Sequence, residues 1–169
     1  MPTTSEVIIS PFDGDQATAD TIAALHLDLR FWQREHGQNQ FRTNIRESQA
    51  DLTNIGSYYV EPGGNFFIAR DASDNVITGF VGLKRAQETE EMEAVLKRLA
   101  VLPKYHRRGI GTLLVGALVE WAAESGFRKI SLSTGEGENA RSLYEKFGFV
   151  VVGFDEEHQD HLMELELVI

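Results

Sequence analysis

The stretch Val95 to Ala117, VLKRLAVLPKYHRRGIGTLLVGA, changes character twice. Up to Val101 it is rich in β-branched and apolar residues and reads as the end of a strand starting near Glu90, which Pro103 terminates. From Gly109 onward Ile110, Leu113, Leu114, Ala117, Leu118, Trp121 and Ala122 recur at i, i+3, i+4, i+7, i+8, the spacing of an amphipathic helix. Between the two lies a basic run, with Lys97, Arg98, Lys104, His106, Arg107 and Arg108 and no acidic residue. A basic turn is often only a solvated one. Here it leads straight into a helix start, where free backbone N–H groups and the positive end of the helix dipole favour an anion. Glycine at 109 and 111 removes Cβ atoms that would hold a phosphate away from the backbone.

Downstream, the helix stops at Ser125-Gly126, and Ile130 to Thr134 returns to strand character. A strand, helix, strand order of this kind predicts a parallel pair with a right-handed crossover. A short helix over 139–147 ends at Gly148, and strands over 149–154 and 161–169 flank the acidic loop 155–160. Upstream, runs over 65–70 and 76–85 around the polar turn 71–75 predict an antiparallel hairpin. The strand over 90–101 is expected to place Glu93, Val95, Lys97, Leu99 and Val101 on one face. At the N-terminus, Val7 to Ile9 reads as a strand, and Ile22, Leu25, Leu29 and Trp32 mark a helix running to Gly37. Phe41, Ile45, Leu52 and Ile55 suggest a second helix, closed by Pro62-Gly63-Gly64.

At 169 residues the length predicts one domain over 1–169, large enough to remove about 70% of its surface from water. The formal charge is 16 − 26 = −10, which disfavours nonspecific attraction to nucleic acid or anionic lipid and suits a cationic partner better. Without cysteine there is no disulfide, no thiolate metal ligand and no Cys nucleophile. Met1 to Ser10 lacks the pattern of a signal peptide, and no apolar run approaches the ~20 residues of a membrane span. A cytoplasmic protein is expected.

Three kinds of phosphate loop compete for the basic run. The Walker type requires Gly-Lys-Ser/Thr after four spacer residues, and no such string occurs. A dinucleotide fingerprint beginning at Gly109 requires Gly or Ala where Leu114 stands. The third is the pyrophosphate loop of acetyl-CoA-dependent enzymes, and Val95 to Ala117 resembles the GNAT superfamily of N-acetyltransferases. That family's Gln/Arg-x-x-Gly-x-Gly/Ala signature falls on His106, Arg107, Arg108, Gly109, Ile110 and Gly111, with His106 as the departure. Asn139 to Phe149, NARSLYEKFGF, resembles the family's later element, in which Tyr precedes Gly-Phe.

The resemblance implies an α/β fold: a mixed, mostly antiparallel twisted sheet with a central parallel strand pair, flanked by about four helices. It implies N-acetyl transfer from acetyl-CoA, as co-substrate, to a primary amine by direct attack in a ternary complex. Leu99, Ala100 and Val101 are then expected to bond the pantetheine arm. His106, Arg107, Arg108, Gly109, Ile110, Gly111 and Thr112 would hold the pyrophosphate, with Asn139 also at the cofactor. Tyr144 is the expected donor to the departing sulfur, on a helix anchored separately by Leu143 and Phe147. Glu93, sharing a face with Leu99 and Val101, is the expected base, although the family often has Glu where this chain has Val95. The expected partner is a small-molecule or peptide amine, with no nucleic acid, membrane or metal, and with room for a homodimer. A non-catalytic acyl-CoA sensor on the same fold is the alternative, and a longer acyl donor or a hydroxyl acceptor is a third.

Three further features carry competing readings. Gly135 to Ala140 matches Gly-x-Gly-x-x-Ala, but Glu136 and Glu138 would set two carboxylates against a pyrophosphate. His158, Asp160 and His161 lack the convergent spacing of a metal site. Trp32, Tyr58 and Tyr59 are candidates either for an acceptor pocket or for packing.

Overall fold

The computed structural model describes residues 6–37, 49–135 and 138–167, the side chains of 138 and 139 excepted. Seven strands form one sheet: β1 (Val7–Pro11), β2 (Asn65–Asp71), β3 (Ile77–Arg85), β4 (Glu93–Val101), β5 (Lys129–Gly135), β6 (Val150–Asp155) and β7 (Asp160–Glu166). Their spatial order is β1-β2-β3-β4-β5-β7-β6. Every pairing is antiparallel except β4 with β5. Among the described residues three α-helices, α1 (Gln16–Glu35), α2 (Ile110–Glu124) and α3 (Glu138–Lys146), flank the sheet together with a segment of 3₁₀ and π turns over 52–60.

Local chemistry accounts for the elements. The Asp15 carboxylate caps α1 by accepting from Ala17 N–H (3.1 Å), and the helix buries Ala19, Ile22, Ala23, His26 and Leu29. In the β2–β3 turn the Asp71 carboxylate accepts from the Ser73 N–H and hydroxyl (2.9 and 2.7 Å), and Asn75 takes the left-handed conformation (φ 63°) that Asn tolerates. Of the expected second helix, the part through Phe41 and Ile45 lies outside the described residues. Its remainder is not α-helical but winds as 3₁₀ turns over Leu52–Asn54 and π turns over Gly56–Val60. Leu52, Ile55 and Tyr59 from this segment are buried.

Each face of the sheet carries a core. One gathers Leu114, Val115, Leu118, Phe127, Ile130, Tyr144 and Phe149 beneath α2 and α3; the other gathers Ile22, Leu29, Leu52, Tyr59, Phe66 and Phe80 beneath α1 and the 52–60 turns. Strand β4 contributes to both, because its register against β3 slips between Gly82↔Lys97 and Phe80↔Ala100. The slip is a bulge at Arg98, whose φ is +64°. Before the bulge Ala94 and Leu96 enter the α2 core; after it Leu99 and Val101 pack there while Ala100 enters the α1 core. The expectation that Glu93, Val95 and Lys97 share a face with Leu99 and Val101 is therefore corrected: one extra residue inverts the alternation.

Candidate active site

Strands β4 and β5 pair over only Glu93↔Lys129, Ala94↔Ile130 and Val95↔Ser131. Beyond that point β4 follows β3 as far as Val101↔Gly79, while β5 follows β7 as far as Gly135↔Asp160. The sheet therefore opens as a V whose arms carry backbone groups released from the β4–β5 ladder. At the far end of one arm the Leu102 N–H donates to the Thr78 carbonyl (2.9 Å). Under the alternation of an antiparallel ladder, the neighbouring Val101 then aims both its N–H and its C=O away from β3 and toward the opening. The carbonyl accepts from His106 Nε2 (2.8 Å), which ties the end of β4 to the basic loop.

The loop makes a sharp turn through Arg107 and Gly109, at φ 64° and 75°, and delivers the chain to α2 with no side chain capping its first turn. Arg107 is exposed, and the Arg108 guanidinium lies over the Tyr105 ring (5.4 Å). A Cβ on Gly109 would meet nothing within 4 Å, so its glycine answers to the left-handed backbone. At Gly111 a Cβ would meet Leu143 Cδ2 at 3.3 Å and Val101 Cγ2 at 3.9 Å. Glycine there lets α2 approach α3 and β4 at the mouth of the V. Leu99, Ala100, Val101 and residues 106–112 are thus brought together, as an anion cradle requires. Asn139 is the second residue of α3, and its side chain lies outside the described residues.

Tyr144 is 6% exposed and packs edge-on to Phe149 (5.7 Å) in the α2 core, with Leu143 and Phe147 against the same cluster. The expectation that Leu143 and Phe147 anchor α3 apart from Tyr144 is corrected: the tyrosine ring anchors too, because one short helix buries all three. Its hydroxyl has no hydrogen-bond partner among the described residues, where no side-chain polar atom is both buried and unpartnered, so the oxygen meets solvent or ligand. Burial pushes the Tyr144 phenol up, and it is protonated at neutral pH. Glu93 sits at the closed end of the V, 3.4 Å from Lys129, which also approaches Glu164 (3.6 Å). Neither its face nor its end of the strand is that of Leu99 and Val101.

On the α1 face the bulge sends Arg98 into a buried network. Its guanidinium donates to both oxygens of Asp51 (3.0 and 2.7 Å), and the Tyr59 hydroxyl donates to Asp51 Oδ2 (2.6 Å). Burial by itself raises the Asp51 carboxyl, but the bonds from Arg98 and Tyr59 outweigh it and hold the group below the usual range. His26 donates from Nδ1 to Gln49 Oε1 (3.1 Å); burial, reinforced by Arg30 and Arg98, lowers its pKa to about 3, so it stays neutral. Beside this network Lys97 Nζ donates to the Tyr58 hydroxyl (2.8 Å), and Lys84 Nζ lies over the Tyr58 ring (4.0 Å).

Of the aromatic candidates, Tyr59 is fully buried, Tyr58 is half-buried between the two lysines, and Trp32 stacks on His36 (4.1 Å) with its edge toward His106 (6.3 Å). Asp51, Lys84 and the shared α1-side placement of Lys97 and Arg98 escaped the sequence reading, since they join segments far apart in the chain. His158 turns to Asp155 (2.8 Å) and the His161 ring lies tilted against Phe154 (5.1 Å), so the two histidines do not converge.

Residues 23–149 match the acetyltransferase (GNAT) family, and the chain belongs to it. Among curated proteins it is similar to the ribosomal protein bS18-alanine N-acetyltransferase of Haemophilus influenzae, at 33% identity over 61% of this chain and 69% of that one. It is also similar to N-acetyltransferase family 8 member 2 of Rattus norvegicus, at 31% identity over 62% of this chain and 47% of that one. The match therefore spans less than half of the rat relative's length. Among solved structures, an acetyltransferase of the GNAT family from Staphylococcus aureus superposes with a TM-score of 0.77 at 22% identity, covering 96% of this chain and all of the other. The PaiA N-acetyltransferase of Thermoplasma acidophilum, solved with coenzyme A, superposes with a TM-score of 0.75 at 22% identity over 95% and 99% of the two chains. These likenesses show the fold. No helix among the described residues is long and apolar enough to cross a membrane.

Proposed function

We propose that residues 1–169 act as one catalytic unit that transfers the acetyl group of acetyl-CoA to a primary amine by direct attack in a ternary complex. The observation that carries this reading is the V itself: Val101 N–H aimed into an opening that ends at a basic loop and an uncapped helix start. The donor fits the residues present. Arg107, Arg108 and the first N–H groups of α2 hold the diphosphate, Leu99 to Val101 line the arm, and Asn139 stands at the start of α3 beside it.

The thioester supplies an activated carbonyl, and each step is assisted by a group of this chain. Val101 N–H stabilises the oxyanion as the amine attacks. Tyr144 Oη donates a hydrogen bond to the departing sulfur. Because burial raises the phenol above its ordinary value of about 10 while a thiol titrates near about 8.5, donation without full transfer is the favoured role. The ion pair of Glu93 with Lys129 argues against Glu93 as the base, and the acceptor's proton passes to solvent water.

The testing experiment is an acetyl-transfer screen over amines, amino acids, polyamines, aminoglycosides and peptides, read by release of free thiol. Peptides beginning with alanine belong in it, given the name of the Haemophilus relative. Turnover of any acceptor establishes the reading; tight acetyl-CoA binding with no turnover across the panel points to a non-catalytic sensor.

A further inference from the structure

Resting on that reading of the V, we infer that the acceptor carries an anionic oxygen group, a carboxylate or a phosphate, close to its amine, and that Lys97 and Lys84 receive it beside Tyr58. The placement follows from register. Lys84 pairs with Val95, the last residue of β4 that is bonded to β5, and Lys97 lies two residues beyond, past the point where the V opens. Residues paired across a ladder share a face, so both lysines project on the α1 side, where Tyr58 meets them. Lys97 is thus about 7 Å along β4 from Leu99, a span that a small acceptor with its amine and anion a few bonds apart can bridge.

The charge arrangement is what needs a partner. Two half-buried ammonium groups converge on one tyrosine, Lys84 at 4.0 Å and Lys97 at 5.1 Å from the ring centroid, and no described carboxylate forms an ion pair with either. Asp51, the carboxylate nearest in the network, is taken by both guanidinium nitrogens of Arg98 and by Tyr59. Glu93, on the same face of β4, is taken by Lys129. In a chain with a formal charge of −10, the Lys84 and Lys97 ammonium groups, to which no described carboxylate is ion-paired, are stabilised by an anion that arrives with the substrate. The neutral groups of Tyr58 hold the lysines in place before that anion binds: its ring face and backbone carbonyl (3.3 Å) meet Lys84, and its hydroxyl meets Lys97.

The experiment compares acceptor pairs that differ only in the anion: amino acids against their amides, and phosphoethanolamine against ethanolamine, each with acetyl-CoA. The anionic member is expected to be preferred at least about tenfold in kcat/KM, the scale of one charge-assisted contact. Lys97→Gln is expected to erase that preference through KM, with Lys84→Gln weakening it and acetyl-CoA affinity unchanged in both. The pair that shows the larger preference tells carboxylate from phosphate. Equal use of both members, or a preference for the neutral or polycationic amine, overturns the inference. Binding of N-acetylated amino acids by calorimetry needs no turnover. If they bind and Lys97→Gln abolishes the binding while no acceptor is acetylated, the anion site stands and the transfer reading fails. If acceptors turn over but binding and rate ignore both lysines, the transfer reading stands and the anion site fails.

Discussion

The two faces of β4 solve different problems with different materials. Toward α2 the site is made of backbone: a V opened by a bulge, an N–H at Val101, a left-handed turn at Arg107 and Gly109, and a helix start without a side-chain cap. Toward α1 it is made of side chains, with Asp51, Tyr58, Lys84, Lys97 and Arg98 arriving from three separate segments. A backbone cradle needs its glycines and its helix start in fixed sequence, so it leaves a readable string. A side-chain pocket is closed by tertiary contacts across tens of residues and leaves none. A donor cradle of this kind is therefore legible in a sequence, whereas the proposed acceptor pocket is not.

Five measurements sharpen or break this contrast. The largest effect is expected from Gly111→Glu, which sets a Cβ 3.3 Å from Leu143 and a negative charge at the start of α2. Acetyl-CoA affinity by calorimetry is expected to fall by about 10²-fold or more, the scale of losing several charge-assisted contacts. Retained affinity would move the donor site elsewhere. Arg98→Met tests the other face by leaving Asp51 buried without its guanidinium. Urea unfolding is expected to show a loss of about 3 kcal/mol, and adding Asp51→Asn is expected to restore part of it. An additive double variant would show that the pair is not coupled.

Tyr144→Phe keeps the ring in the core and removes one donor. A drop in kcat of about tenfold with unchanged acetyl-CoA affinity is expected for a hydrogen bond made only as the sulfur leaves. Wild-type kcat would leave Tyr144 a packing residue. The fourth measurement is stability against pH. His26 binds its proton more weakly folded, near pH 3, than unfolded, near 6.5, so between those values the unfolded chain holds more protons. Stability is therefore present above about pH 6.5 and lost as the pH falls toward 3, with a limiting slope of about 1.4 kcal/mol per pH unit. His26→Gln is expected to flatten that stretch; an unchanged slope would assign the acid sensitivity to other groups. The smallest effect is expected from Glu93→Gln, with rate and pH profile kept. A lower rate with loss of the acidic limb of the pH profile would return Glu93 to the acceptor chemistry.

Elements whose period was long and unmixed were read correctly from the sequence. The α2 stripe from Ile110 to Ala122, the β2–β3 hairpin and the parallel β4–β5 pair all stand where their patterns placed them. The bulge was invisible because bulges at positive φ usually announce themselves with glycine, and here the position is Arg98, held by two bonds to Asp51. Missing it moved Glu93 onto the wrong face. The 52–60 segment was misread for a different reason: its buried Leu52, Ile55 and Tyr59 recur at i, i+3, i+7 as on an α-helix, yet the chain there winds as 3₁₀ and π turns, which apolar periodicity does not separate from α-helix. Tyr144 was placed on the right helix but credited with too little packing, since periodicity does not reveal how deeply a short helix sinks.

The three residue pairs between β4 and β5 make the sheet two plates, β1-β2-β3-β4 and β5-β7-β6, hinged on a short seam. Lys129, with Glu93 on one plate and Glu164 on the other, works as a clasp at the base of that hinge. The angle between the plates is then not a property of either one. It is set by how α2, rooted mainly on β2, β3 and β4, rests against α3. Whatever wedges into the opening works against the seam, so ligand occupancy should be felt as mechanical load at Glu93 to Val95 and Lys129 to Ser131. Amide hydrogen exchange at those six positions, slowed or quickened by a ligand bound beyond Val101, would register that load far from the point of contact.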